Sequence, residues 1–230
     1  MRAAAFDDWP KHFLYLSPTK IDSIFYQIDQ SSLRNIAKKL TIDLKVVKAE
    51  VSSEARGDTV YSRLKVVLSY LERQSLIGSI DQPGPYFAGS LLMRWGPYIG
   101  WRETPEQSKL VYFGGATNET ILGLGGSIEH VFGNIGSSVS DSHSSSPSML
   151  RALQKDLGLR LHGEISEEYR EEDEDEALTA VEVASSGMQG PLQQVEFVAK
   201  RLLWGDAKSW WGLRGERTLL GSPIYAALDD

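Results

Sequence analysis

The strongest constraint on this chain is a glycine-dense stretch from Lys109 to Gly133, which reads LVYFGGATNETILGLGGSIEHVFG from Leu110. Strand side chains alternate between faces. Ile121, Gly123, Gly125, Ser127 and Glu129 therefore share one side of a strand, and Thr120, Leu122, Leu124, Gly126, Ile128 and His130 share the other. Glycine inside a strand gives up packing and conformational entropy, so several at alternating positions mark a bulge, a sharp bend or a close approach by another group. Two readings follow: a coiled sheet whose glycine face receives a helix, or the floor of a ligand cavity with Ser127 and Glu129 at its polar end. A third has the strand stop in a turn, with a short helix beginning near Ser127. The GLGGS run lacks the lysine and hydroxyl ending of a P-loop and the spacing of a dinucleotide fingerprint, so it names no cofactor.

Around this stretch the chain reads as alternating helices and strands. HFLYL is a short apolar strand; Ser17 then caps a helix with Pro18 at its first position. Ile21, Ile24, Phe25 and Ile28 follow at helical spacing, and Leu33, Ile36, Ala37 and Leu40 repeat it in a second helix. Tyr15 and Lys20 sit at the strand-to-helix turn as candidate site residues, beside the plainer reading of a packed tyrosine and a solvated lysine. LKVVKAEVSS alternates like a strand. A long helix is predicted from Asp58, with Val60, Leu64, Val67, Leu68 and Leu71 on one side, Arg63 and Lys65 elsewhere, and Gly78 as its stop. Turn chemistry at Pro83-Gly84-Pro85 precedes a strand from Tyr86 to Trp95. Together with LVYFGG and TILGLGGS this predicts an antiparallel meander.

Residues 134–148 are serine-rich and aperiodic, which predicts a flexible loop or lid that includes His143. SPSMLRALQKDLGLRL is expected as a helix. Residues 164–176 carry a carboxylate run that is costly to bury and reads as an acidic insertion. LTAVEVASS, QVEFVAKRLLWG and RTLLGSPIYAAL are expected strands. The DAKSWWGLRGER segment between the last two presents Trp210 and Trp211, residue types enriched at binding hot spots, although both indoles can equally serve as a plug under the barrel.

Charge and composition narrow the function classes. A formal charge of −7 and a pI near 5.2 disfavour non-specific nucleic-acid binding, which depends on neutralising phosphates. Cysteine is absent, which leaves no thiol nucleophile, disulfide framework or thiolate metal site. His12, His130, His143 and His162 show no metal-ligand spacing, so no metal is implied. No apolar run approaches the roughly 20 residues that span a bilayer, and the opening MRAAAFDDWPKHF lacks a secretory core. A soluble, cytoplasmic protein is expected, folded as one domain over residues 1–230.

YLSPTKID at Tyr15, GGATNETILGLGGSIEHVFG at Gly114 and LLGSPIYAAL at Leu219 resemble stretches of an uncharacterised bacterial family of actinomycete type. The resemblance implies that these segments belong to one domain and that the acidic run is an excursion from it. It carries over no activity and no site residue.

The fold expected is α+β: a curved antiparallel sheet or partly closed β-barrel of six or seven strands, packed by the N-terminal and central helices. The leading functional expectation is a module that binds or senses a small, partly apolar or nucleotide-like ligand in a glycine-lined cavity. Arg94, Asn118, Ser127, Glu129 and His130 would build the site, with Trp210, Trp211 or the serine-rich loop closing it. A regular strand would separate His130 from Ser127 and Glu129. The alternatives are an enzyme of hydrolytic or cyclising type with His130 or Glu129 as acid–base group, and a protein–protein adaptor using the Trp210/Trp211 loop.

Overall fold

The computed structural model describes residues 10–42, 56–99, 109–133, 146–162, 174–208 and 214–229. HFLYL forms β1 (His12–Leu16), and Ser17 turns the chain into α1 (Pro18–Phe25) with Pro18 in the first turn, where a missing amide hydrogen does no harm. α2 (Gln30–Leu40) opens on Asp29, whose carboxylate accepts from the amides of Ser31 at 3.0 Å and Ser32 at 2.9 Å. α3 spans Arg56–Arg73. The apolar positions read at helical spacing are the ones that pack: Ile21, Phe25, Leu33, Ile36, Leu64, Val67, Leu68 and Leu71 form one core with Phe13, Val198, Ile224 and Tyr225. Arg63, expected on the polar side of α3, is buried. Its guanidinium lies 2.7 Å from the Asp22 carboxylate and against the rings of Phe25 and Tyr26, which joins α3 to α1.

The strands are β2 (Ile77–Gly78), β3 (Tyr86–Pro97), β4 (Leu110–Ala116), β5 (Thr120–Ser127), β6 (Gln193–Lys208) and β7 (Arg214–Leu228). With β1 they make a seven-stranded sheet. β3, β4 and β5 are the expected antiparallel meander. β5 then pairs with β7, β7 with β6, and β6 returns to β3, so five strands close a barrel. The sheet is mixed rather than antiparallel throughout, because β5–β7 and β2–β3 run parallel. Phe87, Met93, Phe113, Leu122, Leu124, Val195, Phe197 and Leu219 form a single buried cluster inside the ring. Each such side chain contributes about 1.5–3 kcal/mol when fully buried. Gly221 admits Phe87: a Cβ there would sit 2.5 Å from the ring.

α4 (Ser146–His162) and α5 (Glu174–Gly187) cover another face, where Met149, Leu153, Leu157, Val181 and Ala184 pack with Tyr112 and Leu220. LTAVEVASS is therefore helix and not strand. With Ala177 just before it, its buried residues Leu178, Ala180, Val181 and Ala184 follow the helical period and not alternation, and its alanines and glutamate favour helix once a sheet offers a face to cover. Gly78 does not stop α3, which ends at Arg73. It forms the β2 pairing opposite Phe87, with no room for a Cβ against the backbone of Gln82 and Gly84. LKVVKAEVSS, most of the serine-rich loop and the acidic run before Glu174 lie outside the described residues.

Candidate functional site

β5 explains the glycine pattern. A Cβ on Gly123 would collide with the Tyr112 hydroxyl and meet Val181 Cγ1 at 3.0 Å, and one on Gly125 would strike Met149. The helix-packed reading therefore holds at these two positions. Gly126, on the opposite parity, faces Tyr15, and a Cβ there would collide with the phenol oxygen. Ser127 then ends the strand and caps a one-turn 3-10 helix, Ile128–His130, with its hydroxyl 3.4 Å from the Glu129 amide. This is the third sequence reading, and it cancels the parity argument that separated His130 from Ser127 and Glu129.

After that turn the chain runs beside β1: Val131 bridges to Tyr15, and the Phe132 amide donates to the Leu14 carbonyl at 3.0 Å. The pairing places His130 Nδ1 3.3 Å from the Tyr15 hydroxyl. β7 brings the third component. Its register against β6 shifts so that Ala199 opposes Pro223 and Val198 opposes Tyr225, leaving Ile224 as a bulge. The two carbonyls exposed there bind the start of α1. Ser17 N donates to Ile224 O at 2.9 Å, and Lys20 Nζ donates to Pro223 O at 3.1 Å. Lys20 Nζ also reaches the Tyr15 hydroxyl at 3.4 Å.

Two titratable side chains, from α1 and the 3-10 turn, thus meet at a buried phenol of β1. Tyr15 is fully buried, whereas Lys20 and His130 are half-buried and Glu129 is exposed. Burial raises the Tyr15 phenol to about 12, and hydrogen bonds to Ser17 and to the Ser127 backbone pull weakly the other way. Burial pushes Lys20 down to about 8, since its partners are an uncharged phenol and an uncharged carbonyl. His130 is held below its ordinary value, first by burial and then by the Lys20 charge, with Glu129 opposing. A phenol that accepts from Lys20 can donate its own hydrogen to a neutral His130 at Nδ1, giving a directed chain from lysine to imidazole.

Arg94 and Asn118 lie elsewhere. Arg94 sits opposite Gly114 on β3, on the outer face towards α5, where its Nε donates to Gly190 O at 3.0 Å. Asn118 is exposed in the β4–β5 turn, at the far end of β5 from Ser127, and at about 3.3 Å per residue the two are roughly 20–25 Å apart. Thr117 organises that turn, accepting from the Glu119 and Thr120 amides and donating to Asp81 at 2.6 Å. Trp210, Trp211 and His143 lie outside the described residues. Among the described residues no group of His, Asp and Glu is placed to hold a metal ion, and no helix is long and apolar enough to cross a membrane. Sequence reasoning missed the Pro223 carbonyl. A proline inside the strand-like run GSPIY marks a bulge or an edge, and that signal was there to be used.

The fold and this cluster define a class: an α+β protein built on a closed, mixed, five-stranded barrel with helices packed outside and titratable groups at the β1 end of β7. The chain belongs to DUF7019, a family of unknown function, whose match extends over residues 11–230. No curated protein and no solved structure matches it.

Proposed function

We propose that the protein is a small-molecule-binding module whose site is the Tyr15–Lys20–His130 cluster, walled by the Ser127 turn and rimmed by exposed Glu129. One observation carries this reading. Two half-buried ionisable groups converge on a fully buried phenol and receive no neutralising partner from it. Structural ion pairs are built from opposite charges, whereas a site that must accept a guest keeps donors in uncharged company. The glycine that lines the site is Gly126, and Arg94 and Asn118 are not part of it.

Native mass spectrometry of the purified protein, beside the same sample denatured, tests the reading. The expected result is a small molecule bound to the native form and released on unfolding, with less of it on Y15F and H130Q. A bare mass, together with no change in melting across a nucleotide and metabolite panel, would overturn it and favour the adaptor reading through Trp210 and Trp211.

Acid–base catalysis at the same cluster is a second reading, supported by the lowered proton affinities of Lys20 and His130, which suit both to accept a proton near neutral pH. Under it, a ligand incubated with wild-type protein is recovered chemically altered, and one incubated with H130Q is recovered intact.

A further inference from the structure

We propose that Lys20 is a carbonyl-reactive amine and that the ligand class of this site is small aldehydes or ketones, held as an imine. The inference rests on the binding reading above and deepens it. Its basis is the placement of one lysine. Lys20 is half-buried as a residue rather than enclosed, and the hydrogen-bond partners of its Nζ among the described residues are the Pro223 carbonyl at 3.1 Å and the Tyr15 phenol at 3.4 Å. Neither partner is an anion that would hold the amine as ammonium. A desolvated lysine without a counter-charge is the arrangement that supplies a free amine near neutral pH, and burial pushes Lys20 to about 8.

The neighbours suit the proton transfers. The amine lone pair adds to the carbonyl carbon, forming a C–N bond as the C=O π bond breaks, and the proton lost by nitrogen passes to the new oxygen, giving a carbinolamine. The C–O bond then breaks, with the Tyr15 hydroxyl protonating the departing oxygen, which leaves as water. The iminium nitrogen returns a proton to the tyrosinate, so the sum is amine plus carbonyl giving imine plus water, with no net proton and no redox change. Burial keeps the phenol protonated across the neutral range, as a donor in this step must be. His130 Nδ1, 3.3 Å away, holds the phenol in place as a positioning residue, and in this step the hydroxyl turns its hydrogen from Nδ1 to the departing oxygen.

The test uses the full chain with pyridoxal as the probe aldehyde, sodium borohydride to fix any imine as a secondary amine, and peptide mapping by mass spectrometry. At about pH 7.5 the Lys20 peptide should be labelled roughly tenfold faster than the surface lysines, the gain in free amine being partly offset by weaker nucleophilicity. The rate at Lys20 should level off near pH 8, where the other lysines keep accelerating towards about 10.4. K20R, which keeps a cationic donor to Pro223, should lose this label and retain the wild-type melting temperature. Y15F should keep the label at Lys20 and acquire it more slowly. Label spread over the lysines in proportion to exposure, or a Lys20 rate still climbing above pH 9, would overturn the proposal. A ligand seen by native mass spectrometry in that same outcome would leave the binding site standing with a non-covalent guest.

Discussion

Burial at one low-dielectric spot shifts the proton affinities of Lys20 and Tyr15 in opposite directions, and the pH dependence of stability follows from that. Lys20 ionises at about 8 in the folded protein and at 10.5 in the unfolded chain. Below pH 8 both states hold the proton and the native state bears the full desolvation cost; between 8 and 10.5 the unfolded state holds more protons, so stability rises with pH. Tyr15 works in reverse. Its phenol is raised to about 12, so above pH 10 the unfolded chain loses the proton first and stability falls, a trend reinforced by the buried phenols of Tyr112 and Tyr225, both raised by burial. His130, held below 6.5, adds a loss of stability as pH falls through its unfolded value. Urea denaturation should therefore show wild type gaining on K20Q by an amount of order 2–3 kcal/mol between pH 8 and 10. A constant difference between the two proteins across that range would mean that Lys20 is solvated. Both residues stand out in the sequence at the strand-to-helix turn, but what makes them a site does not. His130 lies 115 residues from Tyr15, and Pro223 lies 203 residues from Lys20.

Strand β5 and helix α4 show how an element's sequence specifies a need without specifying what meets it. The alternating glycines of GLGGS announce a face with no side chains of its own, and the structure fills that face with Tyr112, Met149 and Val181. Methionine is unbranched and adaptable, so the Gly125–Met149 contact is a compensating pair of small and large residues. G125A should cost about 1–3 kcal/mol through overpacking, and M149A about 2–5 kcal/mol through the space it leaves. In the double variant the new methyl enters that space, so the two losses should sum to more than the measured total in thermal or chemical melts. Strict additivity would show that Met149 does not pack on Gly125. The same packing explains the misreading of α5. LTAVEVASS alternates well enough for a strand by local pattern, and only the sheet face that it covers selects its helical period.

Across the whole molecule, β7 is the organising strand. Its first half pairs with β5, its second half with β1 on the same side, and β6 runs along the other side. Losing it opens the barrel and removes the bulge that anchors α1. Hydrogen exchange should find the amides of Val198, Leu219 and Leu220 among the slowest, exchanging only with global unfolding, while those of α2, with one face in solvent, open earlier. Slower exchange in α2 than in β7 would contradict this account. The sequence by itself determined the α+β class, the helical faces of α1 to α3, the meander and the positions that cannot carry a side chain, because each follows from a period or a steric limit read within a few residues. Tertiary structure alone decided that the ring closes through a parallel β5–β7 pair, that helices fill the glycine face, and that Tyr15, Lys20 and His130 meet. Those outcomes depend on which distant segments share an edge or a buried volume, and no local pattern in the chain encodes that choice.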